Sequence, residues 1–200
     1  MAAPRPPSGI TTHAFFSAWL PAEAARLGLL ASGPEMHARV ILDGEGGGAW
    51  DLRLRDGRID VGVPGAGEAQ VTMRQSVEDW RALLFSEDGG AGLAPAGAAP
   101  TDLLMIDPTS RQMLRTVRGA VEFRIANFRG RTWRLLAKLG EQPMPEQPDA
   151  TITVDAETYA AMAARTLTPP EAYFGGKIVI GGDAGLAMQL GMAMLPRFGA

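Results

Sequence analysis

One run limits what this chain can fold into more than any other: WDLRLRDGRIDVGV, Trp50 to Val63. Trp50, Leu52 and Leu54 alternate with Asp51, Arg53 and Arg55, and after Asp56-Gly57 the apolar positions resume at Ile59, Val61 and Val63. Strand side chains point alternately to the two sides of a sheet, so both arms present one apolar face, and Asp-Gly supplies the positive φ that a tight turn requires. The run therefore reads as a β-hairpin with one buried face. A second alternation, AVEFRI, sets Val121, Phe123 and Ile125 against Glu122 and Arg124, and RTWRLLAKL follows as its partner strand.

The surrounding segments give an α+β order. Arg39 to Leu42 and Gln70 to Met73 read as flanking strands, followed by a helix from Ser76, a suitable N-cap, to Leu84. Phe15 to Leu30 reads as helical, with Pro21 allowing a break or the first turn of a second helix. Glu87 to Pro100, EDGGAGLAPAGAAP, nearly lacks bulky side chains and reads as a linker. Beyond it come a helix over roughly 102–116, the AVEFRI strand pair, a short strand Thr151 to Val154, a helix over 155–164 capped by Asp155, and a strand Lys177 to Ile180 framed by glycine pairs. The two halves share an order: a strand pair with a tryptophan opening its second strand (Trp50, Trp133), a short Thr-bearing strand (QVTM, TITV), and a helix carrying an aromatic (Trp80, Tyr159). That order reads as an imperfect internal duplication. Residues 1–11 form a flexible tail, 12–86 a truncated unit, 87–100 the linker and 101–200 the complete unit.

Composition narrows the function classes. At 46% hydrophobic and 20% charged residues the chain reads as folded. A net charge of -3 offers no basic surplus for a sequence-blind grip on nucleic acid or an anionic membrane. The absence of cysteine removes disulfides, thiolate nucleophiles and cysteine metal sites together. AFFSAWL is broken at once by Pro21 and Glu23, which makes a poor signal peptide, and no window reaches the roughly 18 consecutive apolar residues of a membrane span. A soluble, cytoplasmic protein is expected.

The closing segment carries no charge between Asp183 and Arg197. On a helix beginning near Asp183, Leu186, Leu190 and Met194 share one stripe, Ala184, Met188, Gly191 and Leu195 another, and only Gln189 is polar. Such a helix is enclosed by protein as plain core, lines an apolar cavity, or covers a partner's apolar surface. Its methionines, Met188, Met192 and Met194, suit variable apolar shapes, though they also serve as core filling.

The string PDATITVDAETYAAMAARTLTPPEAYFGGKIVIGGDAGLAMQL resembles the C-terminal half of the sterol carrier protein 2 family. In that family a hydrophobic-Thr strand precedes a helix, a Pro-bearing turn, an aromatic pair, a Gly-hydrophobic strand and a Gly-Asn/Asp-x-x-Leu-Ala helix. GAWDLRLRDGRIDV and EAQVTMRQSVEDW look like the family's earlier strands. The resemblance implies an α+β fold, a mixed β-sheet with helices packed on one side enclosing an apolar tunnel, here as two related units fused, the first truncated and the second complete. It also implies that no bond is broken. The tunnel would hold a sterol, fatty acyl chain or other lipid against Phe123, Trp133, Met162, Tyr173, Phe174, Ile178, Ile180, Leu186, Met188, Leu190 and Met194. Many relatives place a polar residue after the aromatic pair; Gly175 stands there in this chain.

Other chemistries find little support. His13 and His37 are the two histidines, and they read as surface residues rather than a metal site or catalytic pair. Asp149, Asp155, Glu157 and Glu171 sit at cap and turn positions that helix-end electrostatics explains. GGDAGLA lacks the Lys-Ser/Thr of a phosphate loop. Arg111, Arg115, Arg118, Arg124, Arg129, Arg131 and Arg134 make the middle locally basic and read as a solvated face, with contact to a membrane or anionic head group as the alternative. No catalytic residue, metal or cofactor is assigned. The expected partner is a lipid or other long apolar small molecule, with transient membrane contact and a homodimer as further partner readings and no nucleic acid. The alternative function is a ligand-free interaction or dimerisation module that uses the apolar C-terminal helix.

Overall fold

Eight strands pair into one mixed sheet among the described residues, in the order β3-β2-β1-β4-β6-β5-β7-β8. The structure, a computed structural model, describes residues 5–27, 34–85 and 108–194, with 27, 108–110 and 191–194 described by backbone alone. The proposed linker 87–100 and the side chain of Met194 therefore lie outside the described residues. In chain order the elements are α1 (Thr12–Ala14), a π-helical turn (Phe15–Trp19), α2 (Leu20–Leu27), β1 (Met36–Asp43), β2 (Gly48–Arg55), β3 (Arg58–Gly62), β4 (Val71–Ser76) and α3 (Val77–Leu84). There follow α4 (Pro108–Leu114), β5 (Gly119–Phe128), β6 (Arg131–Leu139), β7 (Ala150–Asp155), α5 (Ala156–Ala163), α6 (Pro169–Phe174), β8 (Ile178–Gly182) and α7 (Ala184–Met194).

The expected hairpin is present, with Asp56 (φ 48) and Gly57 (φ 74) both left-handed between β2 and β3. Both predicted caps hold: Ser76 accepts the Asp79 N–H at 3.0 Å and Asp155 the Thr158 N–H at 2.7 Å. Pro21 lies in the first turn of α2, the second of the two expected readings. Leu20 N–H donates to the Phe15 carbonyl, five residues back, and Ser17 Oγ donates to the His13 carbonyl at 2.6 Å. This wider turn just before Pro21 absorbs the register change there. The Pro-bearing turn is itself a short helix, α6, closed by a capping box between Thr168 and Glu171.

Register gives the sheet an apolar face and a polar one. Leu52, Ala38, Val71 and Leu139 lie across β2, β1, β4 and β6 on the apolar side, all buried. The helices supply its cover: in the first half Phe15, Phe16 and Leu20 are fully buried, with Phe16 stacked on Trp50 (ring centroids 4.6 Å) and Phe15 edge-on to Trp80 (5.2 Å).

Polar residues on the other face are not all solvated. The β3–β4 connection is strapped across it: Arg39 donates to the Gly65 and Gly67 carbonyls (3.0 Å each), and Asp51 accepts the Gly65 N–H (3.1 Å). Lys138 is fully buried and donates to Gln142 O (2.6 Å), Glu68 Oε2 (3.1 Å) and Ala69 O (3.4 Å). His37, expected at the surface, is partly buried with Nε2 3.0 Å from Asp51 Oδ2, an ion-pair distance whose angle falls outside a hydrogen bond. Arg111 leaves the expected solvated face as well. It is buried and donates to the Pro34 carbonyl at 3.1 Å, which ties α4 back to the first half.

The same pairing pattern occurs twice. β1 is antiparallel to β2 and parallel to β4; β5 is antiparallel to β6 and parallel to β7. The flank of β7 is taken by β8, whereas the corresponding flank of β4 is taken by β6 of the other half. The two tryptophans are not in equivalent slots. Ser76 pairs with Asp43 and Asp155 with Ala126, which places Trp50, opposite Val40, level with Leu135, opposite Phe123, rather than with Trp133. Asp79 and Arg131 join the halves by an ion pair, and Trp133 Nε1 donates to the Asp79 carbonyl at 2.8 Å.

Candidate functional site

Three rows of side chains cross the apolar face of the second half, and they differ in burial. Ala137, Val121 and Ala150 form one row, with exposures of 8%, 0% and 1%, and Val121 and Ala150 share the main core with Leu186, Ala187 and Leu190. Trp133, Ile125 and Val154 form another, at 5%, 4% and 8%, with Tyr159 and Met162 packed against them. Between these runs the row Leu135, Phe123, Ile152 and Ile180, one residue from each of β6, β5, β7 and β8. All four are only half-buried, and Phe123 touches both cores.

Two local devices hold the helices apart. The first seats α7: Asp149 N–H donates to Ala120 O (2.8 Å), its carboxylate accepts Ala120 N–H (2.7 Å), and its carbonyl accepts Asp183 N–H (2.8 Å). Asp183 Oδ1 then caps the helix at Leu186 N–H (2.9 Å). Gly119, at φ +130, admits Leu186 closely, since a Cβ there would lie 2.6 Å from Leu186 Cδ2. The second device is the Asp155 cap, whose carboxylate also accepts the Thr158 hydroxyl (2.9 Å) and fixes the start of α5. Burial pushes the Tyr159 hydroxyl on α5 up to about 12, so this side chain stays neutral at physiological pH.

The predicted residues divide into four groups. Phe123 and Ile180 lie in the half-buried row, and Ile178 and Met162 beside it are also half-buried. Leu186 and Leu190 face the sheet but are 6% and 4% exposed within packed core, and Trp133 is engaged with α3. Tyr173, Phe174 and Met188 point outward, with exposures of 40%, 86% and 55%. Met194 has no described side chain. Ile152 and Leu135 were missed, although Ile152 alternates with Ala150 and Val154 in ATITV and so belongs on the apolar face. Asp149 was read as a turn carboxylate; its position between two strands and a helix appears only in three dimensions.

The described residues do not close a tunnel over this row. A cavity of about 220 Å³ lies elsewhere, on the first half, against Asp51, Arg53, Asp60, Val61 and Gly65. Among the described residues no group of three or more His, Asp or Glu side chains is arranged to hold a metal, and no helix is long and apolar enough to cross a membrane.

A mixed sheet covered by helices on its apolar face, with one uncharged row left accessible between two of them, defines an α+β protein that presents an apolar surface. Residues 101–194 match the SCP-2 sterol transfer family. The sterol carrier protein 2 like 2 of Aedes aegypti is 30% identical over 38% of this chain and 73% of its own, with a TM-score of 0.31 in its crystal structure. The solution structure of the palmitated form of that protein gives 30% identity over 40% and 75%, with a TM-score of 0.33. The hydroxysteroid dehydrogenase-like protein 2 of Danio rerio is 31% identical over 86 residues, 40% of this chain; the match spans 21% of that longer protein. The chain belongs to the SCP-2 sterol transfer family, and its second half carries the family match.

Proposed function

We propose that this chain is a non-enzymatic lipid-binding or lipid-transfer protein of the cytoplasm, and that the row Leu135–Phe123–Ile152–Ile180 receives the hydrocarbon of a sterol, fatty acyl chain or other lipid. The observation that carries the reading is the half-buried state of four large apolar side chains between two fully buried rows. Fully burying such a side chain is worth about 1.5–3 kcal/mol, so a face that leaves four of them accessible retains a driving force for covering them with hydrocarbon. The neutral Tyr159 beside the row suits an apolar occupant. Family membership supports the same class, and the palmitated state of the Aedes aegypti relative makes a fatty acyl chain the natural first probe. Within this proposal Met162, Ile178, Leu186 and Leu190 form the walls, while Trp133 braces the floor. Tyr173, Phe174 and Met188 stand around the entrance, and membrane contact during loading is assigned to that rim. The first half acts as structural partner and holds no ligand.

Native mass spectrometry of gently purified full chain tests the reading, together with titration by a fluorescent fatty acid. A co-purified mass in the lipid range, or saturable binding displaced by unlabelled fatty acid or sterol, is the expected result. A chain that arrives empty and binds none of these probes saturably overturns it.

A further inference from the structure

The two edges of the sheet are protected unequally. At one end, β3 carries Arg58 and Asp60, with Asp60 paired to Arg55 at 2.8 Å, and charges of this kind discourage edge-to-edge association. At the other, β8 reads IVIGG, with no charge and no proline, and its second residue, Val179, is 61% exposed. Asp183 N–H donates to Asp149 O, and the register continues as Thr151↔Gly181 and Thr153↔Val179. Odd-numbered positions thus bond to β7, and the backbone groups of Ile178, Ile180 and Gly182 point to the edge that no described strand occupies. The nearest charges flank the strand with opposite sign: Lys177 at one end and Asp183 at the other, both exposed.

We propose that β8 pairs edge to edge with the β8 of a second copy of this chain, antiparallel and centred on Ile180. In this register each Lys177 lies opposite the partner's Asp183, and each Val179 opposite the partner's Gly181, where no side chain competes for space. Shifting the centre to Val179 keeps the backbone bonds but sets Lys177 against the partner's Gly181, so the charges select Ile180. The apolar faces of both sheets become continuous, so Ile180 of each copy meets the other and the two half-buried rows join into one floor across the axis. That last consequence rests on the lipid-binding reading; the pairing does not. Five residues a side bury less than the roughly 1,200 Å² typical of stable interfaces, so the dimer is weak and concentration-dependent.

Sedimentation velocity on the full chain over a concentration series, without lipid, reads the association. The mass is expected to rise toward twice that of the monomer. Lys177→Glu, which opposes like charges twice, is expected to weaken the dimer roughly tenfold. Asp183→Lys does the same, while an equimolar mixture of the two variants restores the dimer, because each chain then opposes unlike charges. Since Asp183 also caps α7, hydrogen exchange on the unmodified chain gives an independent reading: the Ile178 and Ile180 amides gain protection with concentration, while Val179 and Gly181 are protected throughout. A monomer at every concentration, a dimer indifferent to Lys177→Glu, or exchange at Ile178 and Ile180 that ignores concentration overturns the pairing. None of these outcomes bears on lipid binding, which is read separately by the fatty-acid titration.

Discussion

Leu190→Trp and Ile152→Trp add similar volume to the apolar face of the second half, and the structure assigns them opposite consequences. Leu190 is 4% exposed and packed in the main core, so a larger side chain there displaces neighbours at a cost of about 1–3 kcal/mol. In a chain of 200 residues each kcal/mol moves Tm by roughly 2–4 °C, so this variant is expected to melt about 2–12 °C below wild type. Ile152 lies in the half-buried row at the margin of the main core, and in the proposed site the added rings extend over its row neighbours Phe123 and Ile180 on the accessible side. Its ligand-free Tm is expected to stay within about 2 °C of wild type, a change under roughly 1 kcal/mol. In the proposed site the rings occupy space that the hydrocarbon would take. Excluding two methylenes removes about 1.6 kcal/mol at 0.8 kcal/mol each, so affinity for a long-chain fatty acid falls more than tenfold. Differential scanning fluorimetry and fluorescent fatty-acid titration read the two quantities on the same preparations. If Ile152→Trp melts as far below wild type as Leu190→Trp while its folded fraction keeps lipid affinity, the row is ordinary core and the site assignment is refuted.

Two further predictions concern the joints of the fold. Arg131→Ala leaves the buried Asp79 carboxylate without its cation, and because Arg131 is 30% exposed water recovers part of the loss; a cost of about 1–3 kcal/mol is expected as a lower urea midpoint at unchanged slope. At Asp51, burial acts to raise the pKa but is outweighed by hydrogen bonds from Arg39 and the Gly65 N–H and by the adjacent His37, and the carboxyl is held at about 2. Its contribution is therefore complete above the unfolded value of about 3.9 and lost as pH falls toward 2, so denaturation midpoints should drop across that window in wild type and much less in Asp51→Asn.

Period and cap chemistry made the local structure legible. The alternation of Trp50 to Val63 admitted only a hairpin, and Ser76 and Asp155 marked two helix starts through side chains that accept a backbone N–H. Those signals are local, and what they could not convey is long-range. Alternation says that Lys138 points to the polar face, yet not that residues 64–70 return across that face and bury it. Arg111 in a basic stretch gives no sign that the carbonyl of Pro34, 77 positions away, accepts its hydrogen bond. The half-buried row exists only through register: Leu135, Phe123, Ile152 and Ile180 come from four strands, and no pattern within one strand sets them apart from the buried residues two positions along.

The first half shows what such a row looks like when it is occupied. Level with Leu135, Phe123 and Ile152 in the repeated pairing lie Trp50, Val40 and Met73. There two of the three are covered from within the chain: Phe16 stacks on Trp50 at 4.6 Å, and Trp50 and Val40 fall to 8% and 2% exposure, while Met73 stays half-buried. Phe15 and Phe16 come from the helical segment before β1, which brings two fully buried aromatic rings to that face. The second half has a different set of helices, and among the described residues no aromatic ring takes the place of Phe16 over Phe123. The first half thus covers Trp50 and Val40 with its own phenylalanines, and in the proposed reading the corresponding row of the second half is covered by lipid. This contrast is the physical basis for placing the proposed lipid in the second half and for treating the first as its filled, ligand-free counterpart.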